Sequence, residues 1–541
     1  MRKTKRWTLW AGAAGAIAII VASSAVGATR ATDQRAQNLR VIIGSEPPSL
    51  DPGLATDTTS GSILSNLTEP LIKFGPAPLY KAVPSAAQSW VVKGANVTLN
   101  LRKDMKWTNG QSVTAADYVY AWQRTISPEL GSDYAYQFFG IKGAEAYNSC
   151  DPKAADCNAL RSQVGVSAPS KFVLRVQLKA PQAWFIQQLN HQSFSAVHRA
   201  TVEKFGDKWT EAANIVTYGP FKLTSWQHDA SLTLTKDPKW RDAKSVKLNK
   251  VTLTVITDAT TAENAYAAGN ADANETDLAP ASVPKWLKNP EYKTNGTIGT
   301  YYYGFNVKNI PDVNQRRAMA FAIDRKAIIR YVTKGGQFPA KGFTPNRTPG
   351  SKEILKNSTM PAVSKLAQAK AFMAKVKNPK TNINLYFNTS AGHAAIATAV
   401  QAFWKELGIT TTLKNMEFGQ YLQFLGPPPN ADVDVYRLGW IYDYPDAYNG
   451  FELWKCDSGN NNTGWCNKKY DAIVQKAAVT VNDDARFKLY QQAETILTGP
   501  NGALPIMPIY WYVFHSLVKP YVQGYESNLV DAVDYTKVSL R

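Results

Sequence analysis

Strand-like and helix-like segments alternate along the whole of this chain, with no internal repeat and no low-complexity linker between them. That alternation points to α/β lobes built on mixed sheets flanked by helices. At 541 residues the chain exceeds what one hydrophobic core covers, so two or three domains are expected. Residues 39–44 (LRVIIG) read as a short apolar strand, closed by the turn formers Glu46-Pro47-Pro48. Residues 97–102 alternate as a half-buried strand does, and Trp107–Gly110 carries an Asn-Gly turn. Thr114 followed by Asp117 is a capping pattern opening a helix over 118–124. Further strands are expected at 172–178, 232–234 and 251–256. Apolar residues Ala318, Phe321, Ala322 and Ile329 predict one amphipathic helix over 316–332. More helices are expected at 394–407 and 485–498, each followed by an apolar strand.

The first 28 residues differ from the rest. Arg2, Lys3, Lys5 and Arg6 precede an apolar run from Trp7 to Val21, and small residues around Ala22–Ala28 offer a cleavage site. This is an export signal, either cleaved or, given its long apolar run, retained as an anchor. No cysteine follows the run, so a lipid-modified N-terminus is not expected. The four cysteines form two close pairs, Cys150/Cys157 and Cys456/Cys466. Four cysteines allow three connectivities, and the spacings could also suit a metal. No histidine sits near either pair, and an exported chain favours local disulfides, each closing a short loop for about 2–3 kcal/mol. The net charge of +19 becomes +15 without the four basic residues of the leader. The remaining basic residues are scattered, with no long run and no aromatic-interleaved motif, so nucleic acid is not an expected partner.

Catalytic signatures are missing. The five histidines (His191, His198, His228, His393 and His515) show no zinc spacing. There is no Gly-x-Ser-x-Gly elbow and no Walker loop. Ser282-Val-Pro-Lys285 matches Ser-x-x-Lys, but its companion motifs are absent. No catalytic residue, metal or cofactor is therefore expected.

Seven segments in order resemble extracellular solute-binding proteins of family 5, which serve ABC-type peptide importers, and within them the periplasmic oligopeptide-binding proteins. They are residues 44–52 (GSEPPSLDP), 101–110, 113–124 (VTAADYVYAWQR), 214–222, 300–306, 317–325 (RAMAFAIDR) and 437–443 (RLGWIYD). The resemblance runs from Leu39 to the C-terminus. It implies a two-lobed periplasmic-binding-protein-like fold with an extra inserted domain. The first lobe would comprise 39–70, 196–297 and 513–541, the insertion 71–195, and the second lobe 298–512.

The resemblance also implies a ligand site. Asp443 matches the aspartate that pairs with a peptide's α-ammonium group, a charge-assisted bond suited to a dry cleft. Arg437 and His393 match positions that offer positive charge to the peptide carboxyl terminus, the histidine when protonated. Trp440, Tyr442, Tyr134, Tyr301 to Tyr303, and Tyr510 with Trp511 would wall the cleft. The implied partners are short peptides and the permease subunits of an importer, with the receptor itself a monomer outside the cytoplasmic membrane. Two departures stand out. Relatives carry a disulfide between positions that are Ile441 and Gly299 here, and Tyr444-Pro-Asp-Ala replaces their Asn-Glu-Pro stretch. An oligosaccharide or metal-chelate ligand on the same scaffold, with fifteen tryptophans to stack on sugars, remains an alternative, as does a secreted hydrolase.

Overall fold

A computed structural model of the chain describes residues 36–541 apart from 76–79, 155, 277, 427–428 and 529. The expected export signal lies outside the described residues. Among the described residues, no helix is long and apolar enough to cross a membrane.

Eleven strands of the described residues join one mixed sheet. From edge to edge it runs Thr410–Met416, Asn382–Asn388, Val435–Ile441, Tyr292–Phe305, Ile506–Val518, Ala273–Asn274, Asn38–Ile43, Lys250–Val255, Ser231–Lys236 and Phe221–Gln227, with Phe338–Pro339 beside Ile506–Val518. Parallel pairs occur towards both ends, Asn38–Ile43 with Lys250–Val255 and Asn382–Asn388 with Thr410–Met416. Parallel neighbours need crossovers, which the intervening helices supply. The helix Ala391–Lys405, for example, lies between Asn382–Asn388 and Thr410–Met416.

The two long antiparallel strands in the middle matter most for the site. Tyr292 to Gly296 pair with Leu517 to Val513, and Thr300 to Gly304 pair with Trp511 to Ile506. A register shift between Gly296 and Thr300 separates the two ladders. Bulged positions of this kind bend a strand and increase its twist.

The apolar cores follow the chain in blocks. Leu39, Leu64, Leu253 and Val518 share one cluster on the N-terminal half of the sheet. Another is built from residues between Leu71 and Tyr218, around a separate antiparallel sheet of Ala87–Lys93, Asn96–Leu101, Val173–Gln177 and Val166–Ser170. Residues 196–218 also pack into that second cluster. Two further clusters gather residues mainly from 298–510 on either side of the C-terminal half of the sheet, one with Trp454 and Tyr302, the other with Trp404 and Tyr301. Each fully buried large side chain of this kind contributes about 1.5–3 kcal/mol.

Local signals of the sequence are realised in detail. The Thr114 backbone N–H donates to Asp117 at 2.7 Å, opening the helix Ala115–Thr125. Helices Ala391–Lys405 and Asp483–Thr498 start at Ser390 and Asn482, whose side chains accept from the first-turn amides of His393 and Ala485. Cys150 bonds Cys157, and Cys456 bonds Cys466.

One expected element is broken. Instead of a single helix over 316–332, a helix Val313–Ala322 ends at Ile323, which is extended, and a new turn starts at Asp324. The Asp324 carboxylate accepts from the Ala327 amide at 2.7 Å, capping the restart. Arg325 is fully buried there and donates to the carbonyls of Pro508, Ala320 and Pro361. These carbonyls take up the charge that burial would otherwise leave uncompensated. The apolar spacing continues through the break, which is why periodicity alone reads it as one helix.

Candidate functional site

A cavity of about 790 Å³ opens where the 134–191 region meets the C-terminal end of the Val435–Ile441 strand. Tyr134, His191, Arg437, Trp440, Asp443, His393 and Tyr510 all line it. A neighbouring cavity of about 490 Å³ shares Arg437 and His393 with it.

Asp443 lies two residues beyond the strand's last residue, Ile441, and is buried. Its carboxylate is held from two sides. Asn449 donates to Oδ2 at 2.7 Å, and the Asn449 carbonyl oxygen accepts from both the Asp443 amide and Trp440 Nε1 at 3.0 Å. One fully buried amide side chain thereby orients the aspartate and the neighbouring indole together. From the other side, Gln137 Nε2 donates to Oδ2 at 2.9 Å and the Tyr134 hydroxyl to Oδ1 at 3.4 Å. Tyr134 caps a 3₁₀ turn, Ala135–Phe138, that contains Gln137, and residues three apart in such a turn lie on one face. His191 Nδ1 accepts the Ser193 amide, so its ring proton sits on Nε2, 3.3 Å from Asp443 Oδ1. Oδ2 thus has two short bonds and Oδ1 two long ones. The Oδ1 side is the more available to a ligand.

Arg437 is also buried, but its partners come from the same half of the sheet. It donates to Asn388 Oδ1 at 3.0 Å and to the Tyr512 hydroxyl at 2.8 Å, and lies 4.4 Å from the Tyr301 ring centroid. A cation over an aromatic face is stabilised by the ring quadrupole. Gly439 makes the Tyr512 contact possible, because a Cβ at 439 would occupy the place of the Tyr512 hydroxyl.

His393 sits in the first turn of its helix, with Nδ1 3.5 Å from the Tyr301 hydroxyl. Burial first, and then the Arg437 charge, hold its pKa well below the ordinary histidine value. Both effects favour the uncharged ring, and Arg437 is the cation beside it.

Other expected wall residues divide. Tyr134, Trp440 and Tyr510 line the cavity, and the Tyr134 ring meets His191 edge-on at 4.9 Å and Trp440 at 6.1 Å. Tyr301 does not line it. Strand alternation puts Tyr301 in the cluster with Tyr303, stacked 4.6 Å from Tyr510 behind Arg437, while Tyr302 turns to the other face and reaches the wall. Trp511 packs instead with Ala340 and Leu355. Tyr442 borders the cavity but is fully buried in the aromatic core. Gly299 and Ile441 are directly opposed on adjacent strands, and a side chain at 299 would collide with Ile441. Apolar contact thus fills this position.

Sequence reading did not single out Gln137, His191, Asn449 or Tyr512. Tyr512 was within reach, as the second residue beyond Tyr510 on the same strand face. Gln137 and His191 join segments some 250–300 residues from Asp443, with nothing local to mark them, while Asn449 lies only six residues beyond it.

The chain is similar to known binding proteins over nearly its whole length. It is 32% identical to the periplasmic oligopeptide-binding protein OppA of Salmonella typhimurium over 529 residues, 94% of each chain. The murein tripeptide binding protein MppA of Escherichia coli superposes with a TM-score of 0.84 at 30% identity, covering 93% of this chain and 98% of that one. Haemophilus influenzae OppA in complex with RPPGFSPFR gives 0.84 at 28% identity, over 94% and 99%. MppA in its unliganded open form gives only 0.63, over 94% and 98%. One relative in two structures thus differs in how its parts are set, and the present arrangement departs from the open one. Residues 81–462 match the family described as bacterial extracellular solute-binding proteins, family 5 (middle). The chain belongs to that family.

Proposed function

We propose that this protein captures short peptides of about two to five residues in its cavity and delivers them to the permease of an ABC-type importer. The observation that carries the reading is the placement, in one cavity, of a buried carboxylate held by oriented donors and a buried guanidinium. A peptide presents complementary ends, an α-ammonium for Asp443 and a carboxylate for Arg437. The relatives' names and the bound RPPGFSPFR support the same ligand class. Backbone hydrogen bonds along an extended ligand would hold it without regard to sequence.

The same reading assigns residues 39–70, 196–297 and 513–541 to a first lobe, 71–195 to an insertion and 298–512 to a second lobe. Closure would turn about the strand pair interrupted between Gly296 and Thr300. The receptor would be exported, monomeric, without a lipid anchor, and would release its ligand unchanged.

Calorimetry with a mixed peptide library, followed by mass analysis of the bound fraction, tests the proposal. Intact short peptides are the expected result. Recovery of shortened peptides would show an enzyme, and tight oligosaccharide binding without peptide binding would show a different ligand class.

A further inference from the structure

The loop between Cys456 and Cys466 contributes Asn460 and Asn462 to the wall of the 790 Å³ cavity. It is braced from within. The disulfide closes it, and the Asn461 side chain donates to the carbonyls of Lys455 at 3.1 Å and Trp465 at 2.9 Å. Asn461 Oδ1 also accepts the Thr463 hydroxyl at 2.6 Å. Asn461 thus holds the loop together, while the asparagines on either side of it meet the cavity. A wall braced in this way has little freedom left to lose when a ligand arrives.

Asn462 is the more enclosed of the two, at 8% exposed. Its backbone amide bonds the Asn460 carbonyl at 3.0 Å, but its side-chain carboxamide has no hydrogen-bonding partner among the described residues. Neither Oδ1 nor Nδ2 is sealed off, and the residue's place in the cavity wall makes them reachable by a ligand. The loop stands at the Asp443 end. Asn460 Nδ2 lies 3.5 Å from the Tyr136 hydroxyl, and a Cβ at Gly459 would come within 2.5 Å of the Asp133 carbonyl oxygen. Both contacts are to the segment that carries Tyr134 and Gln137, the donors to Asp443.

We infer that Asn462 forms a carboxamide subsite, which selects ligands carrying an asparagine or glutamine side chain close to their amino terminus. The inference rests on the peptide reading proposed above. A side-chain amide offers an acceptor and two donors in one plane, and a ligand carboxamide returns both kinds of bond. An ammonium side chain can only donate, and a carboxylate can only accept. An apolar side chain strips water from Oδ1 and Nδ2 and leaves them unpaired, the situation in which a hydrogen-bonding site discriminates most strongly. Asp443 takes the α-ammonium group, present in every free peptide, so preference among sequences at this end comes from Asn462.

The test compares Ala-based tripeptides bearing asparagine or leucine at the first, second or third position. The two side chains have nearly the same shape, and only asparagine carries the amide. Glutamine against methionine repeats the comparison on a longer stem. In at least one of these pairs the native protein should favour the carboxamide at the first or second position by about tenfold or more. Asn462→Leu removes both polar atoms at nearly constant volume, and Asn462→Ala provides a second variant should the first fail to fold. In either variant the preference should fall to about unity or below. A native preference absent from both of the first two positions would overturn the inference, as would a variant that keeps the native preference. An equal loss for every peptide, trialanine included, would mean that Asn462 meets the ligand backbone, and would also overturn it. If none of the peptides binds the native protein, the peptide reading itself is at fault. Binding without a carboxamide preference leaves that reading standing and rejects only the role of Asn462.

Discussion

The two charged ends of the cavity are assembled differently. Asp443 draws Tyr134, Gln137 and His191 from a region some 300 residues away, and only Asn449 from its own neighbourhood. Arg437 is held by Asn388, Tyr512 and the Tyr301 ring, all on strands of the same half of the central sheet. The anionic end is complete only when the 134–191 region packs against the 440–449 segment. The cationic end needs no such meeting. Stacking of Trp184 on Tyr448, 4.3 Å apart at 19°, belongs to the same contact. Ligand at the anionic end therefore reports on closure, whereas ligand at the cationic end tests a preformed group.

The largest expected effect is at Asp443. Asp443→Asn leaves a ligand ammonium group facing a neutral amide, at a cost of roughly 3–5 kcal/mol, or about 100- to 4,000-fold in affinity. N-acetylated peptides should bind the native protein weakly and lose little more in the variant. Equal binding of acetylated and free peptides by the native protein would remove Asp443 from the ligand site. It would also leave the contacts from Tyr134, Gln137 and His191 with a purely structural role.

A smaller effect is expected at the preformed end. Arg437→Met removes a charged fork while Tyr510 and Tyr512 keep the wall, and free-acid peptides should weaken by about 10- to 100-fold. Peptides amidated at the carboxyl terminus should be weak ligands of the native protein and indifferent to the substitution. Titration calorimetry with paired acid and amide peptides gives both numbers. A ligand-independent loss would mean that Arg437 supports the sheet through Asn388 and Tyr512 rather than meeting the ligand.

The same contrast explains what was legible in the sequence. The helix start at Thr114 rests on neighbouring residues, so capping chemistry locates it, whereas the helices read from periodicity at 394 and 485 begin at Ala391 and Asp483, after the caps Ser390 and Asn482. The strand at 251–256 follows from its own alternation and is observed at Lys250–Val255. The break at Ile323 was not legible, because its cause is the burial of Arg325 against carbonyls as distant as Pro508. Within the site, Asp443, Arg437 and Trp440 share one seven-residue stretch that resemblance picks out as a unit. Gln137 and His191 owe their role to a contact between distant segments, which no local pattern records. Tyr301 fell on the wrong side because alternation distinguishes the two faces of a strand covered on both sides without saying which one meets the cavity.

The smallest expected effect concerns histidines at the cationic end. His515 lines both cavities and stacks on Tyr292 at 5.2 Å, and burial pushes its pKa down to about 4. In the unfolded chain the ring titrates near the ordinary histidine value of about 6.5. Below that pH the unfolded state takes up a proton that the folded state refuses, so stability falls as the medium is acidified from about 6.5 towards 4. Between pH 7 and pH 5.5 this one group should cost about 1 kcal/mol. His393, also held neutral, adds a loss of the same sign. Denaturant unfolding at the two pH values should show that His515→Asn loses less stability on acidification than the native protein, by about that 1 kcal/mol. An unchanged difference would mean that the ring is protonated in the folded protein. The cationic end would then carry a second positive charge beside Arg437, and part of the ligand-carboxylate binding assigned to Arg437 would shift to it at acid pH.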